Sequence, residues 1–336
     1  MKKLRIGVIG CGDITKYMMM LTKLDRNIKV VGFADPDESR ARKFAARYKD
    51  AGAYKDYNEM LANEEIDAAY VAVPHFLHYS IVKDLILKGV HVLCEKPIVT
   101  TLEHALELKR LAEENRVKVG VNYQYRYDHA CFRMVKAAQN GDLGRLYYGI
   151  CNVPWFRDES YFIESKWHTY KDQAGGGTLL TQGSHALDIL LWAFNSKPSR
   201  AMGMIRNAKF HNVEVEDTAM GMVELSCGGI LQVTSSMAAA KEQPVTITVY
   251  GEKGTATYTG PYFPRTKFYG VRVPRYKAEG RGVHALSRSM NAFLKWVVDG
   301  MPYYCDISQS IPVLASILAI YNSAESGKAE EISLKL

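Results

Sequence analysis

The 336-residue chain has few of the features that mark specialised classes of protein. Its six cysteines lie far apart and form no CxxC pair, which argues against a disulfide scaffold and against a zinc site built from thiolates. No apolar run is long enough to span a bilayer, and the first apolar segment is too short for the core of a signal peptide. We therefore expect a cytoplasmic protein with no membrane partner.

Basic runs, internal repeats and low-complexity segments are also missing. The net charge is +7, and the basic residues are interspersed with acidic ones, so we do not expect nucleic acid as a partner. A composition of 47% hydrophobic and 24% charged residues is that of an ordinary globular protein. The length favours two domains.

Short apolar segments alternate with amphipathic ones in the first part of the chain. Strands are predicted at 4–9, 28–34, 68–73, 90–94 and 118–121, and helices at 39–48, 78–88 and 101–115. This alternation is typical of a doubly wound parallel sheet. We predict a first domain of this fold over residues 1–123.

The rest of the chain is rich in segments with the period-two alternation of β-strands. Strands are predicted at 147–153, 201–205, 219–225, 230–236, 245–250 and 255–258, and helices at 287–298 and 308–324. We predict an α+β domain over residues 124–336, with a large open, mainly antiparallel sheet. The last helix is expected to pack back on the first domain.

A glycine turn follows the first predicted strand. Gly10 and Gly12 precede a helix that starts near Asp13 and Ile14, where free backbone amides and the helix dipole favour a pyrophosphate. Thr15 stands where the usual motif has its third glycine. We predict a dinucleotide site here; a tight turn without a ligand is the alternative.

An acid at the end of the second strand indicates which dinucleotide is bound. Asp35 can accept hydrogen bonds from both adenine-ribose hydroxyls and would repel a 2′-phosphate, which favours NAD over NADP. Arg40 and Arg42 lie nearby in the sequence and argue in the opposite direction. Asp35 is equally a residue that forms turns, since Pro36 follows it.

Further cofactor-binding candidates follow later strands, because ligands in such sheets bind outside the carboxyl ends of the strands. They are Pro74, His75, His78, Glu95, Lys96 and Asn122. His78 is also compatible with a role in starting a helix. For Glu95 the alternatives are a surface acid and a residue that positions its neighbour Lys96.

Lys96, in the sequence Glu95-Lys96-Pro97, is the first candidate for proton transfer. Partial burial and a cationic nicotinamide ring would lower its pKa towards neutrality. Pro97 fixes the turn, and the bond before it can be cis at small cost.

His185 is the second candidate. Three glycines at 175–177 would admit a ligand before a helix on which Thr181, His185 and Asp188 share one face. A carboxylate three residues after a histidine suits an oriented acid/base imidazole. A structural histidine is the alternative; a metal site would need further clustered ligands, and we predict none.

Together, the Gly10/Gly12 turn, Glu95-Lys96-Pro97 and the segment 175–188 resemble the glucose-fructose oxidoreductase/inositol dehydrogenase (Gfo/Idh/MocA) family. The resemblance implies a Rossmann domain and an α/β domain with a large open sheet, nicotinamide-dependent redox chemistry on a sugar or polyol, and homodimers or homotetramers formed through the sheet. It implies that Lys96 is the motif lysine, His185 the catalytic histidine and Asp188 its accompanying acid.

Thr181 stands at a position where inositol dehydrogenases and many other members of the family carry an aspartate. Inositol is therefore a weaker substrate prediction. The pair Thr181-Gln182 is similar to that of members acting on sugars and sugar nucleotides.

Aromatic and polar residues are interleaved in three further segments that we assign to the site, 122–127, 155–157 and 161–168, and this pattern suits sugar rings. We expect substrate contacts from Gln124, Tyr125, Trp155, Arg157 and Trp167, together with Lys96, Thr181, Gln182 and His185. Ordinary packing between domains is the alternative for each of them. His168 replaces the arginine that often follows this tryptophan in similar proteins.

Our hypothesis is that a substrate hydroxyl loses its proton to His185 or Lys96 while its carbon delivers hydride to NAD. A second reading is redox-neutral elimination or glycoside cleavage with tightly bound NAD. A third is a non-catalytic NAD-binding regulator that acts on a protein partner.

Overall fold

A computed structural model describes residues 3–21 and 28–334 of the chain. The chain divides into two compact units that do not follow one continuous boundary. The first unit comprises Met1–Val99, His104–Asn122 and Glu279–Ile307, and the second comprises Thr100–Glu103, Tyr123–Ala278 and Ser308–Leu336.

The first unit is built on a six-stranded parallel sheet. Its strands are β1 (Leu4–Ile9), β2 (Ile28–Ala34), β3 (Gly52–Tyr54), β4 (Ala68–Val71), β5 (His91–Cys94) and β6 (Val119–Val121), and they lie in the order β3-β2-β1-β4-β5-β6. The helices along this part of the chain are α1 (Asp13–Leu21), α2 (Glu38–Ala45), α3 (Tyr57–Asn63), α4 (His78–Leu87) and α5 (Leu102–Glu114). All adjacent strands pair in parallel, which confirms the predicted doubly wound sheet.

The central strands of this sheet are apolar and buried, as is usual in parallel sheets, which are covered on both faces. All four residues of β4 are buried, and so are the last four of β1. β3 and α3 escaped prediction, since a strand of three residues and a helix of seven carry little periodic signal.

The second unit contains an eight-stranded sheet. Its strands are β7 (Leu146–Pro154), β8 (Pro198–Arg206), β9 (Thr218–Leu225), β10 (Ile230–Ser236), β11 (Val245–Gly251), β12 (Thr255–Gly260), β13 (Arg265–Tyr269) and β14 (Glu330–Glu331), in the order β13-β12-β11-β7-β10-β9-β8-β14. Helices α6 (His129–Gln139), α7 (Ser160–Glu164), α8 (Lys171–Ala174) and α9 (Ser184–Phe194) belong to the same unit. Only β7 and β10 pair in parallel, so the predicted mainly antiparallel sheet is confirmed.

The last two helices, α10 (Ala285–Asp299) and α11 (Ile307–Ser326), differ from expectation in their placement. We expected the final helix to pack on the first domain, but α10 belongs to the first unit and almost all of α11 to the second. Contacts explain the difference. Ser289 of α10 donates a 2.7 Å hydrogen bond to Asn122 of the first unit, whereas Ile320 of α11 packs over Gly203 of β8.

Helix α11 also bears on the membrane prediction. Among residues 3–21 and 28–334 it is the one helix with the length and apolar composition of a membrane span, although we predicted no run of that length. However, 67% of its apolar window is buried within the structure, as in a core helix. Ile317 and Ile320 are completely buried.

The two faces of the large sheet differ in what covers them. Gly203 and Gly221 pair across β8 and β9 and pack beneath Ile320 of α11. The opposite face of the same two strands carries exposed methionines: Met202, Met204, Met220 and Met222. This exposed methionine face departs from the usual polar exterior of an antiparallel sheet.

Candidate functional site

The first glycine turn contains one glycine that the protein's own atoms require and one that they do not. Gly10 has a φ of +90°, and a Cβ there would lie 2.1 Å from the carbonyl oxygen of Ala72. A Cβ on Gly12 would meet no atom of the described residues within 4 Å. The space beside Gly12 is therefore open.

Helix α1 begins directly after this open space. Asp13 is exposed and Ile14 is partly buried, and the first N–H groups of a helix have no partner within the helix. Thr15, in place of the third glycine, is buried and donates a 2.7 Å hydrogen bond to the Gly10 carbonyl. The open space and the exposed helix start fit the pyrophosphate of a dinucleotide.

Asp35 links the end of β2 to this turn. Its two carboxylate oxygens accept backbone hydrogen bonds from Cys11 at 2.8 Å and from Asp37 at 2.9 Å. Burial, aided by the Asp35 charge, raises the pKa of the Cys11 thiol to about 12. Because each carboxylate oxygen can accept a second hydrogen bond, Asp35 can still receive ribose hydroxyls.

The two nearby arginines are already paired with acids on α2 and its N-cap. Arg40 lies 3.3 Å from Asp37, and Arg42 lies 2.7 Å from Glu38. Both pairs are exposed, so they hold these side chains only weakly.

The segment after β4 departs in part from the prediction. Pro74 is partly exposed and His75 is buried. His78 is completely buried, and its ring nitrogens face backbone oxygens of its own unit: Nδ1 lies 2.7 Å from the Pro97 carbonyl and Nε2 lies 2.9 Å from the Val73 carbonyl. Both ring nitrogens of His78 are therefore occupied by backbone oxygens, and neither is free for the predicted contact with a cofactor.

Glu95 and Asn122 form a buried network instead of an open ligand site. One oxygen of Glu95 accepts hydrogen bonds from Tyr70 at 2.7 Å and from Asn122 at 2.6 Å. The Asn122 oxygen accepts a hydrogen bond from Ser289, whose hydroxyl also lies 2.7 Å from that of Tyr303. Both the nitrogen and the oxygen of the Asn122 amide therefore form hydrogen bonds with residues of the first unit.

Lys96 follows β5, where the carboxyl end of the strand meets the expected ligand edge of the sheet. Its side chain is partly exposed, and the bond to Pro97 is cis. Burial of the ammonium group lowers the pKa of Lys96, and the charge of Glu95 opposes that change. A lysine with a lowered pKa can exchange protons closer to neutral pH.

The second glycine segment, 175–177, does not have the open space that the sequence suggested. A Cβ on Gly175 would lie 2.5 Å from Thr100, and one on Gly176 would lie 2.4 Å from the hydroxyl of Tyr321. A Cβ on Gly177 would lie 1.8 Å from the backbone oxygen of Glu216. The expectation that these glycines make room for a ligand is wrong. The space beside them is filled by other residues of the protein.

Glu216 holds this glycine segment from within. Its buried carboxylate accepts backbone hydrogen bonds from Gly177 at 2.6 Å and Leu179 at 2.9 Å, and a third from the Tyr321 hydroxyl at 2.9 Å. Burial raises the pKa of Glu216, and these donors oppose the rise. The turn Leu179–Gly183 that follows has π-helical hydrogen bonding and leads into α9.

His185, in the first turn of α9, is held between tyrosines. Its ring stacks on Tyr125 with centroids 5.0 Å apart and meets the edge of Tyr123 at 5.6 Å. The imidazole is buried. Packing on two aromatic rings restricts its orientation.

Asp188 pairs with a residue that the sequence analysis had not selected. Arg126 donates to both carboxylate oxygens, from Nε at 2.9 Å and from a terminal nitrogen at 2.6 Å. Burial raises the pKa of Asp188, and the Arg126 charge opposes that rise. The guanidinium also lies 5.0 Å from the ring of Trp192. Asp188 therefore belongs to a buried ion pair with Arg126. We had predicted only that it accompanies His185.

Several predicted substrate residues gather around Tyr161. Arg157 lies over the rings of Trp155 at 5.1 Å and Tyr161 at 5.6 Å, and pairs with Glu242 at 3.4 Å. Burial raises the pKa of the Tyr161 hydroxyl, while the polar side chains of Thr181 and Gln182 and the Arg157 charge oppose that rise. Thr181 itself donates a 2.7 Å hydrogen bond to the Gly177 carbonyl.

Trp167 has a more structural environment than predicted. It packs against a buried apolar cluster that consists of Phe162, Ala174, Phe210, Val215 and Met237. Its neighbour His168 stacks on Tyr161, with centroids 4.3 Å apart.

Three predicted substrate residues carry buried polar atoms with no hydrogen-bond partner in the part of the chain that the structure describes. They are the side-chain oxygen of Gln124, the indole nitrogen of Trp155 and the amide nitrogen of Gln182. Leaving such a group unsatisfied costs about 1–3 kcal/mol. These atoms are suited to receive a polar ligand.

Arg126 and Glu216 are the site residues that sequence reasoning missed. Arg126 lies within the run 122–127 that we assigned to the site, but nothing in that run separates it from its neighbours. Glu216 lies 39 residues after Gly177, and no local pattern connects the two.

A parallel sheet with an open glycine turn, joined to a second α/β unit, defines a dinucleotide-binding enzyme of two units. The family described as an oxidoreductase family with an NAD-binding Rossmann fold matches residues 4–123, and the GFO/IDH/MocA C-terminal domain matches residues 132–257. The chain belongs to this GFO/IDH/MocA family. The resemblance, the enzyme class of an NAD(P)-dependent oxidoreductase and the cofactor NAD are thereby confirmed.

Individual relatives are similar along nearly the whole chain. D-glucoside 3-dehydrogenase of Escherichia coli is 27% identical, with 98% of this chain and 97% of the relative covered. D-xylose 1-dehydrogenase (NADP(+)) 2 of Haloferax volcanii is 25% identical, over 97% and 99%. The WlbA dehydrogenase of Bordetella pertussis, solved with NADH and UDP-GlcNAcA, has a TM-score of 0.85 at 25% identity, over 99% and 100%.

Proposed function

We propose that the protein transfers hydride between NAD and a hydroxyl-bearing carbon of a sugar, polyol or sugar derivative, with Lys96 and His185 as the proton-transfer groups. The observation that carries the proposal is Lys96 itself. It follows a parallel strand at the ligand edge of the sheet, is partly exposed, and has a pKa lowered by burial. The first unit would bind the cofactor and the second the substrate.

The residues divide the work of the reaction. NAD, when bound, accepts the hydride that leaves the substrate carbon. Lys96 in its neutral form takes the hydroxyl proton at Nζ, or as an ammonium stabilises the developing alkoxide. His185 would exchange a proton with the same substrate, its ring fixed by the stack on Tyr125. Groups placed in this way contribute roughly 10²–10⁴-fold to the rate.

The unsatisfied polar atoms support a polyhydroxylated substrate. Gln124 offers an acceptor, and Trp155 and Gln182 offer donors, all of them uncharged. Sugar hydroxyls both donate and accept, and the C–H faces of a sugar ring pack on aromatic side chains such as Trp155. The names of the relatives that act on D-glucosides and D-xylose point to the same class.

Cofactor preference, assembly and location complete the proposal. Asp35 favours NAD over NADP, since its carboxylate would repel a 2′-phosphate. The exposed methionine face of the large sheet would join copies of the chain into a homodimer or homotetramer. Six free cysteines support a cytoplasmic location.

The proposal is tested by absorbance of reduced cofactor across free sugars, polyols, sugar acids and sugar nucleotides, with NAD and NADP measured separately. We expect turnover with NAD, loss of turnover in Lys96→Met, and no change in Lys88→Met, a matched control at an exposed helix end. Silence across the panel while NAD binds would contradict the proposal and favour redox-neutral chemistry or a regulator.

A further inference from the structure

We propose that His78 is a positioning residue for Lys96: its ring lies between the carbonyls of Val73 and Pro97, donates a hydrogen bond to that of Pro97, and so ties the loop after β5 to the start of α4. The inference rests on the proposed role of Lys96, and it gives His78 a task other than contact with a cofactor.

The two loops leave neighbouring strands. β4 and β5 pair in parallel, with Val71 beside Cys94 at their carboxyl ends. The last backbone hydrogen bond between them runs from the Glu95 N–H to the Val71 carbonyl at 2.9 Å, so other contacts must fix the loops that carry Pro74 and Lys96. His78, the first residue of α4, lies at 2.9 Å from one loop and 2.7 Å from the other.

The chemistry of the contacts allows the neutral ring one hydrogen bond. Both partners are carbonyl oxygens, which only accept hydrogen bonds, so a neutral imidazole can donate to one of them. Complete burial lowers the pKa of His78 and favours the neutral ring. We assign its proton to Nδ1, because the contact with the Pro97 carbonyl is the shorter of the two.

The hydrogen bond to Pro97 matters because Pro97 follows the reacting lysine directly. A loop that shifts by about 1 Å moves the Lys96 ammonium away from the reacting atom and costs about 10²-fold in rate. A buried carbonyl left without a donor would add a reason for the loop to move.

Three variants separate the two contacts. The amide nitrogen of an asparagine occupies a place near Nδ1, and that of a glutamine a place near Nε2, so His78→Asn retains a donor for Pro97 and His78→Gln one for Val73. His78→Phe retains neither. We expect kcat to fall in the order Asn, Gln, Phe, from a fewfold loss to about 10²-fold, with KM and NAD affinity almost unchanged.

A second readout does not depend on turnover. The rate at which a small amine-reactive reagent modifies Lys96, followed by mass spectrometry against pH, reports the exposure and ionisation of that side chain. We expect His78→Gln to change this rate and His78→Asn to change it little. His91→Asn is the control, because His91 lies at the opposite end of β5, where it accepts from the Lys118 backbone.

Equal kcat in the Asn and Gln variants, together with unchanged labelling of Lys96, would overturn the inference. So would a loss confined to KM or to NAD affinity, since that pattern belongs to a cofactor contact. If Lys96→Met retains turnover, the proposed function fails, but the labelling rates still decide whether His78 positions Lys96. The Asn and Gln pair keeps the test decisive even if His78→Phe does not fold.

Discussion

The two glycine segments, 10–12 in the first unit and 175–177 in the second, look alike in sequence and differ in what lies beside them. A Cβ on Gly12 would enter open space, whereas a Cβ on Gly177 would overlap the backbone of Glu216. A glycine run before a helix therefore serves a ligand only where the protein leaves the adjacent space unfilled. In the second segment the carboxylate of Glu216 occupies the place that a bound anion would take.

The largest effect is expected at Gly177. In Gly177→Ala the new methyl group would meet the Glu216 backbone oxygen at 1.8 Å, and backbone atoms cannot move aside as a side chain can. We expect the free energy of unfolding to fall by about 3 kcal/mol or more. Denaturant unfolding measures it; a stable Gly177→Ala protein would contradict the account of this segment.

Gly10→Ala should be the next most damaging change. Its φ of +90° disfavours any side chain, and the Ala72 carbonyl lies 2.1 Å from the Cβ position. We expect a loss of about 2 kcal/mol or more, measured in the same way. Stability equal to that of the parent protein would mean that this turn relaxes easily.

Glu216→Gln tests what holds the second segment. One oxygen becomes an amide that cannot accept the backbone hydrogen bond from Gly177 or Leu179. Leaving that buried N–H unsatisfied should cost about 1–3 kcal/mol, seen as a lower midpoint of chemical unfolding. A shift in NAD affinity without loss of stability would instead assign Glu216 to ligand binding.

Gly12→Ala tests the glycine segment whose adjacent space is open. Since no described atom lies within 4 Å of the new methyl group, stability should change by less than about 0.5 kcal/mol. NAD affinity should fall about tenfold, or about 1.4 kcal/mol, because the methyl group crowds the pyrophosphate. Calorimetric titration measures the affinity, and unchanged binding would place the cofactor elsewhere.

The smallest effect concerns Glu95, a buried carboxylate of the first unit. Its charge raises the pKa of Lys96, so Glu95→Gln should lower that pKa, while the glutamine oxygen can still accept from Tyr70 and Asn122. The acid limb of the pH profile of kcat/KM for substrate oxidation should therefore move to lower pH. If the acid limb stays in place or moves to higher pH, ionisation of Lys96 does not control it.

The fold was largely predictable because hydrophobic period reports secondary structure directly. β1, β2 and β10 have the bounds that their apolar patterns predicted. Short elements such as β14 escaped, as did the parallel pairing of β7 with β10, because two residues carry no period and pairing depends on tertiary contacts.

The sequence predicts which residue types form the site and where they lie in the fold. It predicts their contacts less well. Lys96 and Gly12 follow from strand ends alone. The partner of Asp188, by contrast, lies 62 residues away at Arg126, and that of Asn122 lies 167 residues away at Ser289. Such pairs form only after folding, so spacing along the chain cannot indicate them.

The most direct test of the central claim is single-turnover reduction of NAD by Lys96→Met, once a substrate is known, with NAD affinity measured on the same sample. The account predicts a hydride-transfer rate lower by about 10²–10⁴-fold with NAD binding retained. A rate equal to that of the parent protein, with NAD bound, would contradict the assignment of Lys96 as a proton-transfer group.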